Sequence, residues 1–165
     1  MTGAITGARL IRIADLPPQP WKNGGGLTTE IAIHPAGATM DAFDWRISLA
    51  RIDRDGPFSA FPGIDRWITL IEGGGFTLDF AGGSSITVAA PFRPQPFDGG
   101  TAAQCRLLAG PCRDLNVMAR RGLGMQVDVI AAGHDAPPAG CALVHDGGAL
   151  LRLDAALVLR ALVAD

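Results

Sequence analysis

Lysine is nearly missing from this chain. Of its 14 fixed cations all but Lys22 are arginine. Histidine is almost as scarce: His34, His134 and His145 form no His-x-His or His-x-x-x-His pair. A metal centre in a β-barrel or jelly roll needs imidazoles and a carboxylate converging on one open site. His34 before Pro35, and His134 in Gly-His-Asp, read instead as turn residues, so neither a metal nor another cofactor is expected. Three cysteines (Cys105, Cys112 and Cys141) lack zinc-ligand and Cys-x-x-Cys spacing, and their odd number argues for free thiols in a reducing compartment. No Gly-x-Ser-x-Gly elbow is present, and no serine or cysteine stands in an activating context.

Long apolar runs are also missing. None approaches the ~18–20 residues that cross a bilayer, and Met1–Leu10 shows no signal-peptide pattern. A cytoplasmic protein with no membrane partner is expected. The formal net charge of −2 supplies no general attraction to nucleic acid or anionic lipid. Arg120-Arg121 is the densest basic spot, too little for a nucleic-acid footprint, and no helix-turn-helix pattern is visible.

Helical patterns are few. Ile13–Leu16 is a short one ended by Pro17-Pro18, and Ala155–Ala164 suits a helix or a buried strand equally. What the chain does have is turn residues, 22 glycines and 12 prolines, set between short runs that alternate at period two. Trp45, Ile47 and Leu49 share one strand face, with Arg46, Ser48 and Ala50 on the other. Similar alternation marks Phe76–Phe80, Leu115–Met118 and Met125–Val129. Gly73-Gly74-Gly75 between two such runs reads as a hairpin turn, and Gly147-Gly148 divides another pair. Residues 1–165 are therefore expected to form a single all-β domain, a sandwich, barrel or jelly roll. A weak internal echo suggests two stacked β-sandwich modules in one compact chain.

Four segments concentrate chemistry. Pro20-Trp21-Lys22-Asn23-Gly24-Gly25-Gly26 sets the lone ammonium before three glycines, the reverse of a P-loop. Lysine there suits anion binding or acid–base work, and an ordinary turn is the alternative. Arg46 and Ser48 face either the interior or water. In Asp55–Arg66, a turn segment with two phenylalanines, Arg66 forks onto Asp65 or onto a ligand acid. Asp114, Asn116 and Met118 share one strand face, where a row of acceptor, amide and thioether would line a pocket.

With Thr29-Glu30-Ile31 and Phe43–Ala50 these segments resemble the HutD/Ves family, in order from about residue 10 to 160. The resemblance implies a cupin fold of two cupin-like modules without the metal-binding histidines of enzymatic cupins. It also implies a role in limiting or tuning bacterial histidine utilisation, through a breakdown product such as formylglutamate, or in environmental stress responses. A small dianion with an amide would find charge at Lys22, Arg46 and Arg66, amide contacts at Asn23 and Asn116, and a dry wall at Trp21 or Met118. Ser48 and Asp65, from the same motifs, complete the candidate ligand-binding set. Glu30, Asp65 and Asp114 fit less readily, because a buried acid repels a dianion unless an arginine neutralises it. Two alternatives remain: a metal-independent isomerase or lyase acting on a small carboxylic acid with Lys22 as acid–base, or a scaffold whose motifs only stabilise the sandwich. The partner expected is a small anionic metabolite, and the paired apolar strands are compatible with a homodimer.

Overall fold

Strands that alternate apolar and polar residues must bury at least one face, and this chain stacks three antiparallel sheets to do so. The computed structural model describes residues 7–164; residues 1–6, part of the stretch read as lacking a signal peptide, lie outside it. In chain order the strands are β1 (Arg9–Arg12), β2 (Gln19–Pro20), β3 (Gly26–His34), β4 (Trp45–Ile52) and β5 (Gly56–Phe58). Next come β6 (Ile64–Glu72), β7 (Phe76–Phe80), β8 (Ser85–Val88), β9 (Gln95–Asp98) and β10 (Ala103–Leu107). The remainder are β11 (Cys112–Arg120), β12 (Met125–Ala131), β13 (Cys141–His145), β14 (Gly148–Arg152) and β15 (Leu157–Val163). No helix among the described residues is long and apolar enough to cross a membrane.

A six-stranded sheet, β2-β3-β4-β11-β6-β9, lies at the centre. One of its faces carries Trp45, Ile47 and Leu49 from β4, with Leu115 and Val117 from β11. These pack against Val127, Val144, Leu151 and Leu159 of the five-stranded sheet β1-β13-β14-β15-β12. Its opposite face carries Ile52, Ile68 and Leu70, which pack against Phe76, Leu78, Val88 and Cys105 of the four-stranded sheet β5-β10-β7-β8. Period-two alternation separates the two sets, because neighbouring residues of a strand point to opposite faces. The three cysteines are buried and free.

Three ambiguous or mistaken sequence readings are settled by these pairings. Ile13–Asp15 is a single 3-10 turn. The alanine-rich end is strand β15, held between β12 and β14, which suits its Leu157-Val158-Leu159 run. Gly73-Gly74-Gly75 is not a hairpin turn. β6 stays in the central sheet beside β11 and β9, while β7 pairs with β10 and β8, so the triglycine carries the chain from one sheet to another. True hairpins do form at Gly82-Gly83 and Gly147-Gly148.

Leu115 has no solvent exposure and sits in the larger cluster. Leu115→Ala is therefore expected to cost about 2–5 kcal/mol in urea unfolding. Leu10→Ala, at a residue that is 59% exposed, should stay within about 0.5 kcal/mol of the parent.

Candidate functional site

Beyond Ile68 and Leu70 the second face of the central sheet turns polar. Across β4, β11 and β6 the register aligns Arg46 with Met118 and Arg66, then Ser48 with Asn116 and Ile68, then Ala50 with Asp114 and Leu70. These rows floor a cavity of about 450 Å³. Its walls come from the β2–β3 turn, from Pro57–Phe61 and from Met40. That volume lies inside the range of roughly 300–1,000 Å³ typical of small-molecule sites.

Arg66 is the central cation. It is only 5% exposed, yet among the described residues no carboxylate stands within ion-pair reach of it. Its guanidinium carbon lies 5.0 Å from the Phe97 ring centroid, 5.5 Å from Phe61 and 5.7 Å from Phe58, an aromatic box that favours a desolvated cation. Nη1 donates to the Ser59 carbonyl at 3.2 Å, and Nε reaches Asn116 Oδ1 at a long 3.4 Å. A guanidinium has five N–H donors, so several remain for a ligand. Burial lowers its pKa to about 10, opposed by Asp114 and aided by Arg46, which leaves it charged at neutral pH. Gly99 makes this placement possible: a Cβ there would stand 2.8 Å from Arg66 Cδ and 2.6 Å from the Ile64 carbonyl.

Asp114 is the counterpart of Arg66. It is 1% exposed, and neither carboxyl oxygen meets a hydrogen-bond donor among the described residues. Burial pushes its pKa up to about 7, and Arg66 offsets only part of the shift. Arg46 is differently employed: its Nε donates to Glu30 Oε1 at 2.9 Å, with 15% of the side chain exposed.

The Trp-Lys-Asn-Gly turn closes one side of the cavity. Trp21 Nε1 donates to Thr28 Oγ1 at 2.7 Å, and its ring meets Phe58 edge-on at 6.1 Å. Asn23 Oδ1 accepts the Gly25 N–H at 2.8 Å, and the Asn23 carbonyl accepts from Arg54. A Cβ on Gly26 would collide with the Arg51 carbonyl oxygen, so glycine there lets β3 lie close to β4. Lys22 is exposed at the rim and makes no ion pair among the described residues.

Residues 13–143 match the HutD family. The chain belongs to that family. Over 110 residues it is 41% identical to an uncharacterised 21.2 kDa protein in the hutC 3′ region of Pseudomonas putida, covering 67% of this chain and 57% of that one. It is likewise 41% identical to protein Ves of Citrobacter koseri, covering 66% and 56%. The matched region thus spans little more than half the length of these curated relatives. HutD from Pseudomonas fluorescens SBW25, whose structure comes from a formate condition, superposes with a TM-score of 0.69 at 29% identity, covering 96% of this chain and all of that one. The fold it shares with that structure is an all-β sandwich of antiparallel sheets.

In this HutD-family chain the cavity gathers every sequence-selected residue except one: Trp21, Lys22, Asn23, Arg46, Ser48, Arg66, Asn116 and Met118 all line it. Asp65 does not. Next to Arg66 on an extended strand, it points to the other side, half exposed, and pairs with Arg121 at 3.2 Å. Of the two partners the sequence leaves open for Arg66, Asp65 is therefore excluded. Arg46 and Ser48, open between interior and water in the sequence, face inward. Asn23 lines the wall, but its amide oxygen is committed to its own turn. His34 is the last residue of β3 rather than a turn residue, and stacks on Trp45 at 5.4 Å. Asp114, which the sequence places in a pocket-lining row with Asn116 and Met118 but which fits a dianion less readily, lines the same floor as they do.

One carboxylate with arginines, hydroxyl, amide and thioether is not a donor set for a resident metal. Among the described residues no group of three or more His, Cys, Asp and Glu is arranged to hold one. Asp114 also governs a stability profile. Its folded pKa, near 7, is raised above the ordinary 3.8, so between those values the folded chain binds more protons than the unfolded. Stability from this group is present at low pH and lost as pH rises through 7. Asp114→Asn should therefore gain melting temperature over the parent as pH goes from 5 to 8. A gap that stays constant with pH would contradict the assignment.

Proposed function

We propose that the chain binds a small anionic metabolite, of the formylglutamate type, in this cavity, and that occupancy tunes histidine utilisation or a related catabolic or stress response. The observation that carries this reading is Arg66, a buried guanidinium boxed by aromatic rings with no carboxylate among the described residues paired to it. Desolvating a cation is costly unless a partner meets it, and a ligand carboxylate supplies that partner in bidentate form. Lys22 at the rim and Arg46 on the floor extend the positive wall for a second carboxylate. Ser48 and Asn116, side by side across β4 and β11, offer hydroxyl and amide partners to an N-acyl group, and Trp21, Phe58 and Met118 provide apolar wall.

The link to histidine utilisation rests on kinship. A relative in Pseudomonas putida is described by its place in the hutC 3′ region, and the structural relative from P. fluorescens is a HutD protein. A scaffold role would leave Lys22, Arg46 and Asn116 pointing apart, whereas here they border one space. Regulation by this route acts through the metabolite or a protein partner, with no nucleic acid bound directly.

Calorimetric titration with formylglutamate, urocanate, histidine, glutamate and formate tests the reading. Saturable binding of formylglutamate is expected. Arg66→Lys keeps the charge but loses the fork, and should weaken binding by about 1.5–3 kcal/mol, roughly 10- to 150-fold. Lys22→Ala, at the solvated rim, should cost less, about 1 kcal/mol or under. Absence of heat with all five acids, or full affinity in Arg66→Lys, would refute the proposal.

A further inference from the structure

Anion binding at Arg66 leaves Asp114 without a task. A buried carboxylate kept for stability is normally paired or hydrogen-bonded. Among the described residues Asp114 has no donor on either oxygen, although it lines the cavity. The side chains beside it in the sheet register, Ala50 and Leu70, have none to give. Few ionisable groups bear on it. Arg66 from β6 is the cation that acts on it, with Arg46 of β4 beyond. Cys105 of β10 and Cys112 of its own strand lie near it. Burial raises both thiols, Cys105 to about 12, so they stay neutral. Asp55 and Asp79 also act on Cys105.

We propose that Asp114 is a carboxylic-acid donor to the ligand: an acid oxygen of the ligand lies between Arg66 and Asp114, taking N–H bonds from the guanidinium and an O–H bond from Asp114, so that binding takes up one proton. This deepens the anion-binding reading of the same cavity and rests on it. An anion set beside an ionised carboxylate would be repelled. A proton moved from solvent to Asp114 removes that repulsion and makes a charge-assisted O–H···O bond, among the shorter and stronger kinds. Because burial already holds the carboxyl near 7, the proton is cheaply taken at neutral pH.

The ligand class follows. The site takes a small acid with no ammonium beside the oxygen that meets Asp114, as in an N-acylated amino acid. An ammonium there would favour the ionised form of Asp114 and reverse the pH dependence. The sign of the pH dependence therefore separates free amino acids from their acylated derivatives.

Formylglutamate and glutamate are titrated calorimetrically at pH 7.5 in phosphate and in Tris, buffers whose ionisation heats differ, and again from pH 6 to 9. Expected are buffer-dependent heats reporting uptake of most of one proton, and an affinity that falls about tenfold per pH unit above about 8. Glutamate should bind without proton uptake and with no fall in affinity between pH 7 and 8.5. In Asp114→Asn the heats should be equal in the two buffers and the affinity flat with pH. Carbon-13 resonances of the Asp114 carboxyl in the unmutated chain give an independent readout, with protonation persisting to higher pH in the complex. Saturable binding with equal heats in both buffers, or a carboxyl that titrates no higher when bound, would overturn this inference and leave the anion reading standing. No saturable binding of formylglutamate at any pH would overturn both.

Discussion

The central sheet is packed against a second sheet over the whole of one face and only part of the other, and the rest of the molecule is arranged around that constraint. One face is apolar along its length and closes the larger core against the five-stranded sheet. The other is apolar only where the four-stranded sheet covers it, around Ile52, Ile68 and Leu70, and polar where it does not. A floor made of three adjacent strands holds Arg46, Ser48, Arg66, Asp114, Asn116 and Met118 at fixed spacings, because ladder hydrogen bonds on both sides remove the freedom a loop would have.

That rigidity lets the protein keep groups it would otherwise lose by relaxation. Among the described residues no carboxylate pairs with the desolvated Arg66, and no donor meets the desolvated Asp114. Each is unfavourable alone, and their mutual attraction offsets only part of the burial penalty on Asp114. Phe58, Phe61 and Phe97 surround the guanidinium, and the apolar layers beneath supply the stability that tolerates the strain. Sites that carry function commonly depart from what stability alone would select.

Alternation made the sheet legible from the sequence: Trp45, Ile47 and Leu49 needed only a count of two to be placed on one face. Which face of the polar set was wet could not be read the same way, since Arg46 and Ser48 are inward only because Pro57–Phe61 and the Trp21 turn wall off the space above them. The same limit explains Gly73-Gly74-Gly75, where a glycine run looks alike whether the chain turns back in one sheet or passes to another. Asp65 and Arg66 looked like a pair in sequence and are opposite-facing neighbours in the strand. Asp114 looked like a poor companion for a dianion because its neutral form is legible only once its burial is known.

Kinship places the chain among HutD proteins and leaves the chemistry to the cavity. The most direct test of the central claim, that Arg66 is the seat of an anion, is a crystal structure of the chain grown with formylglutamate. A carboxylate of the ligand should lie about 2.7–2.9 Å from two guanidinium nitrogens of Arg66, with an acid oxygen turned toward Asp114. Ligand density elsewhere on the protein, with the floor of the cavity holding only water, would contradict the account.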